Sequence, residues 1–142
     1  MGGKETFAAA DVFTLAYDRP HNVLMARFSG VLSSEDVEAH DHAVLAFTVR
    51  HGRPWHGLVD LTGVELVSMP VSRLVWRSQQ PPFNPGYKRV LVASGPAAME
   101  FARTFAGQQT AASMGSVPIA STLQEAYRLL RLPKEARFEP VG

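Results

Sequence analysis

The sequence predicts a single α/β domain whose mixed sheet has about five strands, an N-terminal antiparallel hairpin and about four helices. The length of 142 residues suits one domain, and 46% hydrophobic residues, with 8 Phe, 3 Tyr and 2 Trp, suffice for a core. After two strand-like segments, helix-like and strand-like segments alternate, which requires parallel pairing through right-handed crossovers. We expect one domain over residues 1–142, with its core at about 12–132 and frayed ends at 1–9 and 134–142.

A hairpin opens the predicted fold. Residues 12–17 (VFTLAY) and 23–29 (VLMARFS) are rich in β-branched and aromatic side chains, and residues 18–22 (DRPHN) between them are typical of a turn. A first helix of about four turns then runs from a cap at Ser33 to a terminating Gly52. Acidic side chains in its first turn and basic ones in its last favour this assignment.

Three strands and three helices follow in alternation. The segments predicted as strands are short apolar runs, and those predicted as helices begin at a proline or at a serine–threonine cap. The predicted strands are residues 57–61, 89–93 and 117–120, and the predicted helices are residues 70–80, 96–114 and a last one that starts at 121–122 and stops before Pro133. The proline-rich sequence PPFNPG at residues 81–86 predicts a stiff loop.

The charge balance excludes one broad class of partner. The formal net charge is +1, from 14 Lys and Arg against 13 Asp and Glu, which lacks the basic excess of a nucleic-acid-binding domain. Residues 1–71 carry 5 basic and 9 acidic side chains, whereas residues 72–142 carry 9 basic and 4 acidic ones. Either the second half attracts an anion or an acidic partner, or the difference is a dipolar surface without a role.

Cysteine content and hydropathy indicate the cellular compartment. The chain contains no cysteine, so it has no disulfide, thiolate nucleophile or cysteine-ligated metal, as is typical of the reducing cytoplasm. The longest apolar run covers only residues 43–47, far short of the roughly 20 residues that span a bilayer. We expect a cytoplasmic protein without a membrane span.

Four segments carry a resemblance to a known family. Residues 58–67 (LVDLTGVELV) are similar to the strand and turn before the phosphorylation helix of STAS domains, the fold of the anti-sigma-factor antagonists. Residues 27–30 (RFSG), 101–105 (FARTF) and 125–130 (EAYRLL) resemble the SpoIIAA-like group of small bacterial proteins. The resemblance covers residues 12–132 and implies a SpoIIAA-like fold and a non-enzymatic module that binds a partner protein or a small ligand.

The phosphorylation motif of that family is incomplete in this chain. In the antagonists a phosphorylatable serine follows an aspartate after this turn, and the alignment puts Ser68 at the aspartate position and Met69 at the serine position. Methionine cannot accept a phosphate. A covalent switch would therefore need a shifted register that uses Ser68 or Ser72.

The second helix offers the first candidate binding surface. On a helical wheel, one face carries Val71, Leu74, Val75 and Ser78, and the other carries Arg73, Trp76 and Arg77. Trp and Arg dominate interface hot spots, so the second set predicts a surface for a partner protein. Alternatively, Trp76 packs beneath the loop at residues 81–83 and the two arginines are merely solvated.

Small residues at the starts of the last three helices form the second candidate. These starts lie beyond the carboxyl ends of the strands, where open α/β sheets bind ligands, and their free N–H groups favour an anion. The candidate residues are Ser68, Ser94, Gly95, Ser121 and Thr122. The alternative is that these residues only cap helices.

A pocket is the basis of an alternative function. It would lie between the second and third helices, gated by the loop that carries Phe83 and by Tyr87, and would take a small apolar or anionic ligand. On the first helix, Leu45 and Val49 form a second apolar strip, which is either a contact in a homodimer or additional core.

No catalytic residue, metal site or cofactor is predicted. Catalysis at the serine-lined edge of the sheet stays a third alternative, for which no acid–base pair can be named. His40 and His42 are two residues apart, and a helix points them in different directions, so they cannot share a metal unaided. His40 falls on the inner face and is expected in the core. Asp60 ends a strand, where a turn-forming role explains it, because no serine, histidine or second carboxylate accompanies it at a recognisable spacing.

Overall fold

A computed structural model describes residues 13–141. These residues form one six-stranded mixed sheet, with strands in the order β5-β4-β3-β2-β1-β6, and four helices. The strands are β1 (Phe13–Asp18), β2 (Val23–Leu32), β3 (His56–Val67), β4 (Arg89–Val92), β5 (Ile119–Ala120) and β6 (Glu139–Pro140). The helices are α1 (Ser34–His51), α2 (Val71–Ser78), α3 (Pro96–Ala111) and α4 (Leu123–Leu129). The α/β class and the mixed sheet are confirmed.

The pairing of the strands follows the predicted hairpin and crossovers. β1 and β2 are antiparallel, with Phe13 opposite Phe28. The pairs β2–β3, β3–β4 and β4–β5 are parallel. The crossover between β2 and β3 is α1, whose cap at Ser33 and left-handed Gly52 (φ 79°) are confirmed as its boundaries.

The C-terminal end of the described chain differs from the prediction. Residues 134–142 were expected to be frayed, but β6 pairs with Ala16 and Tyr17 of β1, so that expectation is wrong for Glu139 and Pro140. Backbone hydrogen bonds to an exposed edge strand need no side-chain pattern, so the sequence gives no signal for this contact. The predicted fraying of residues 1–9 lies outside the described residues, as does Val12.

β3 is much longer than the strand predicted at residues 57–61. Asp60 Oδ1 accepts hydrogen bonds from the backbone N–H of Thr62 at 2.9 Å and from its hydroxyl at 2.7 Å, which is the local bonding of a turn. Instead of turning, the chain continues to Val67, and the register against β2 shifts twice beyond Arg27. Turn-like chemistry here produces bulges in a continuous strand.

The two faces of the sheet are covered unequally. Alternate residues of each strand point to opposite faces, so neighbouring residues belong to different cores. Leu24 and Ala26 of β2 lie in the core with Val44 of α1 and Ala102 of α3, whereas Val23 and Met25 lie in the core with Ala126 of α4. Helices α1, α2 and α3 thus share one face, and α4 with the segment after it covers the other. Between Phe13 and Val141 no helix combines the length and the hydropathy that crossing a membrane requires.

Candidate functional site

Helix α2 is attached to α1 by an ion pair. Arg77 donates two hydrogen bonds to Asp41, from Nε to Oδ2 at 2.6 Å and from Nη2 to Oδ1 at 3.0 Å. His40 Nδ1 lies 3.1 Å from the same Oδ1. Burial raises the pKa of Asp41, but the hydrogen bonds from His40 and Arg77 outweigh burial and hold that pKa below its ordinary value. Asp41 is therefore a carboxylate that fixes α2. We call His40, Asp41 and Arg77 the Asp41 cluster.

Helix α2 is also attached to α3, through a fully buried glutamine. Gln109 Nε2 donates to the carbonyl oxygens of Ser78 and Gln80, where α2 ends. Its Oε1 accepts from Nη1 of Arg89, and Arg89 Nη2 donates to the Met114 carbonyl at 2.7 Å. Because every polar atom of the Gln109 side chain is paired, its burial carries no unmet hydrogen bond. The end of α2 is thereby held to α3 and β4.

The side of α2 that faces away from these contacts is open. Trp76 is 58% exposed and Val71 is 71% exposed. Arg73 is exposed and makes no ion pair with any residue in the described part of the chain. We call Arg73 and Trp76 the Trp76 surface. It borders a groove between α1 and α2 whose α1 wall includes Glu38 and His42.

The helical wheel of α2 was wrong at two positions. Arg77 was assigned to the outer face, but its side chain is 18% exposed and bonded to Asp41, because an arginine at the boundary of a helix face is long enough to reach a partly buried carboxylate. Val71 was assigned to the inner face but is 71% exposed. It is the first residue of the helix, and because helical side chains lean toward the N-terminus, it extends beyond the part of α2 that packs on the domain. The proline-rich loop packs on Arg77, whose guanidinium lies 5.8 Å from the Phe83 ring centre, and Trp76 remains exposed.

The predicted anion site at the start of α4 is already filled. Glu125 Oε1 accepts hydrogen bonds from the Ser121 N–H at 2.9 Å and the Ser121 hydroxyl at 3.3 Å. Thr122 Oγ1 in turn accepts from the Glu125 N–H at 3.0 Å. The carboxylate of the helix itself occupies the place of the expected ligand, so Ser121 and Thr122 are capping residues and the anion interpretation is wrong for them.

The other members of that set are far from one another. Asp60 of β3 pairs with Val92 of β4. Ser94, two residues after Val92, is therefore level with Thr62, which is six residues before Ser68. At about 3.3 Å per residue, shortened by the bulges, Ser68 is roughly 15–20 Å farther along the sheet. Its N–H donates to the Leu32 carbonyl at 2.8 Å. A single site built from all these residues is wrong, and Ser94 with Gly95 remains only an exposed helix start.

The position that the family resemblance assigns to the phosphorylated serine is buried. The Met69 side chain is 8% exposed and lies beside Leu74 in the wall of a cavity. Ser68 and Ser72 are both exposed. Modification of either serine stays a prediction.

Two adjoining cavities lie between the sheet and the first three helices. Their volumes are about 110 and 90 Å³, and they share a wall formed by His40, Val59, Arg77, Leu91 and Phe105. The larger one is also lined by the loop residues Phe83 and Asn84 and by Arg89. The expected pocket behind the Phe83 loop is therefore present, with α1 as an additional wall. Tyr87 does not line it, and its ring lies against that of His56, tilted by 42° with the ring centres 4.8 Å apart.

No family model matches the chain, and no curated protein matches it. The site must therefore be interpreted from its own geometry.

His40 and Asp60 both contact other parts of the domain. The His40 ring packs against Phe13 and Phe28, as expected for a histidine of the inner face. Residues 13–141 contain no group of three or more metal-ligating side chains. Asp60 is buried and pairs with Arg27 Nε at 3.0 Å, in addition to its bonds to Thr62, so its oxygens are occupied.

Sequence reasoning missed the residues that hold α2 in place. Gln109 follows Ala98, Ala102 and Phe105 on the apolar face of α3, and a lone glutamine among such residues predicts a buried hydrogen-bonding role. Asp41 lies between two histidines in the sequence, and nothing in its local pattern signals the contact with Arg77, 36 positions away. The strip of Leu45 and Val49, 50% and 73% exposed, is not core, and its role as a dimer contact stays a prediction.

Proposed function

We propose that the protein is a non-enzymatic binding module that docks a partner protein through the Trp76 surface. The observation that carries the proposal is the 58% exposure of Trp76 on a helix fixed from both sides. Tryptophan is the residue most enriched at the centres of protein interfaces, and exposing its ring to water without a partner gives up a large burial energy.

The rigidity of α2 supports this function. Arg77 holds the helix to α1, and Gln109 holds its end to α3, so the helix does not need to order itself when a partner arrives. Binding by a pre-ordered surface avoids part of the entropy cost of association. The two polar contacts also explain why Trp76 is not needed to pack α2 against the domain.

The chemistry of the surface specifies the partner. Trp76 offers apolar contact area, and Arg73 is a cation without a carboxylate partner among residues 13–141. The complementary segment therefore carries an apolar side chain next to an acidic one. We take the occupant to be a different protein, and a second copy of this chain is an alternative that the experiment tests.

The proposal extends to the cellular location of the protein and to its relationship with the SpoIIAA-like group. The hairpin, the α1 crossover and the parallel strands are compatible with a SpoIIAA-like fold, whose members the sequence resembles. A chain of 142 residues without cysteine is compatible with the cytoplasm. No residue is assigned a catalytic role, since the carboxylates Asp41 and Asp60 are bonded to arginines.

The test compares Trp76→Ala with Val49→Ala, which removes a more exposed apolar side chain from the outer face of α1. Each variant and the unmodified protein are immobilised and exposed to an extract of the source cells. A protein retained by the unmodified chain and by Val49→Ala, but not by Trp76→Ala, is then purified and titrated calorimetrically. We expect Trp76→Ala to weaken its binding at least about 30-fold, as for a hot-spot residue of about 2 kcal/mol.

Two results would contradict the proposal. The first is that Trp76→Ala retains the same proteins with the same affinities as the unmodified chain. The second is that sedimentation shows a homodimer that Trp76→Ala dissociates, because the occupant of the surface is then a second copy.

A further inference from the structure

An arginine without a counter-ion lines the larger cavity. Arg89, the first residue of β4, is partly buried and donates to Gln109 and to the Met114 carbonyl, and no carboxylate in residues 13–141 lies within ion-pair distance of it. Arg77, the other arginine of this cavity, is neutralised by Asp41. A buried cation is costly unless an anion compensates it, and burial lowers the pKa of Arg89. The cavity therefore has one end with an uncompensated positive charge.

Beyond Arg89 the cavity space is elongated, and its far end is apolar. Arg89 is level with Gly57 of β3, and Leu61, which lines the second cavity, is four residues farther along that strand. At about 3.3 Å per residue, the two cavities together extend about 13 Å from the arginine. The far end is lined by Leu32, Leu61 and Phe101.

The volume sets the size of the ligand. The cavities are about 110 and 90 Å³, and a cavity of about 150 Å³ is enough to hold benzene. Either cavity alone is small for an organic ligand. Together they accommodate a short chain if the side chains of their shared wall, such as Leu91 and Phe105, move slightly.

We propose that these cavities bind a short straight-chain carboxylic acid, whose carboxylate pairs with Arg89 and whose hydrocarbon chain extends past Val59 toward Leu61. The pairing would supply the missing counter-ion through charge-assisted hydrogen bonds, and the chain would fill apolar space. The Asp41 cluster lines the cavities midway between Arg89 and Leu61. Because Arg77 and Asp41 already form an ion pair there, that part of the site would not bind a second acidic group. The site is distinct from the Trp76 surface.

Octanoate is the probe, and octan-1-ol, which has the same chain without the charge, is its control. Trp55 reports on binding because its ring lines the larger cavity, and Trp76→Phe removes the second tryptophan without changing the cavity. In this background we expect octanoate at pH 7.5 to change the Trp55 emission saturably and to bind at least tenfold more tightly than octan-1-ol.

Variants locate the site. Arg89→Gln is expected to abolish the preference for octanoate, and Arg89→Lys to retain part of it. Arg128→Gln, at an exposed arginine of α4 on the other face, should leave the preference unchanged. Ala26→Leu, which places extra volume in the cavity, is expected to weaken both probes at least tenfold, whereas Met25→Leu on the opposite face of β2 should not. If Arg89→Gln does not fold, the two probes and the Ala26→Leu variant still test the site.

The proposal is overturned if neither probe changes the Trp55 emission, if octanoate and octan-1-ol bind equally, or if Ala26→Leu binds octanoate as the unmodified cavity does. These outcomes are independent of the docking function, because the partner titration depends on Trp76 and requires no ligand in the cavity.

Discussion

At the scale of single residues, the two tryptophans of this protein show opposite relations to the fold. Trp55 is 6% exposed, and its Nε1–H donates to Thr48 Oγ1 at 3.1 Å. Trp76 is mostly exposed, and the polar contacts of its neighbour Arg77, rather than its own packing, hold its helix in place. The same residue type thus serves the core in one case and, in our proposal, recognition in the other.

This difference predicts that the two truncations lower the free energy of unfolding by very different amounts. Trp76→Ala should lower the free energy of unfolding by less than about 0.5 kcal/mol, because little burial is lost. Trp55→Ala should lower it by about 3–5 kcal/mol through loss of core packing. Urea unfolding followed by circular dichroism measures both values. A loss of several kcal/mol for Trp76→Ala would mean that the ring packs in the core and would remove the basis of the docking proposal.

At the scale of elements, α2 depends on polar contacts more than its length suggests. A helix of 8 residues is too short to be stable alone, and only Leu74 and Ser78 of it are buried. Its position is determined by Asp41 on one side and Gln109 on the other. Both contacts come from residues more than 28 positions away in the chain, so helical periodicity could not reveal them.

Removal of one of these contacts should release the end of α2. Gln109→Ala leaves the Ser78 carbonyl and one Arg89 N–H without partners, and we expect a loss of about 1–3 kcal/mol in the free energy of unfolding. Hydrogen exchange should also accelerate at the amides of α2. The matched control is Gln108→Ala, which removes one contact at 3.3 Å with the exposed Gln79 and should cost less than about 0.5 kcal/mol. Equal effects of the two variants would show that Gln109 does not fix α2.

At the scale of the whole molecule, the free energy of unfolding should depend on pH, because folding shifts the pKa values of several groups. Burial lowers the pKa values of His51 and His56. Burial alone would raise the pKa of Asp41, but the hydrogen bonds from His40 and Arg77 lower it below its ordinary value. In all three cases the unfolded chain binds a proton at a higher pH than the folded protein does. Stability should therefore decrease as the pH falls.

The expected profile has two stages. The free energy of unfolding should fall as the pH drops from about 7.5 to 5.5, as the histidines of the unfolded chain take up protons, and again below about 4, as Asp41 becomes protonated. His56→Gln should flatten the first stage, and Asp41→Asn should flatten the second and lower stability at neutral pH. Urea titrations at several pH values give the profile. A first stage that is unchanged in His56→Gln would exclude that residue as its source.

The sequence by itself determined every described element except β6, and the order of these elements. Caps, turns and apolar runs placed the N-terminal hairpin, the four helices and the parallel strands, because these signals act between residues a few positions apart. They also placed the Phe83 loop at a cavity. The same local signals failed at β3, where the bonding of Asp60 to Thr62 is compatible with either a turn or a bulge.

Only the tertiary structure decided how the candidate residues are used. Arg77 became a structural contact because Asp41 of another helix lies beside it, and Ser121 and Thr122 became capping residues because Glu125 fills the place of an anion. The serines are far apart because the bulged strand β3 continues to Val67, well beyond Asp60, where its pairing with β4 ends. Exposure and ion pairing depend on which elements pack together, and distances in space between distant parts of a chain are not encoded in its local pattern.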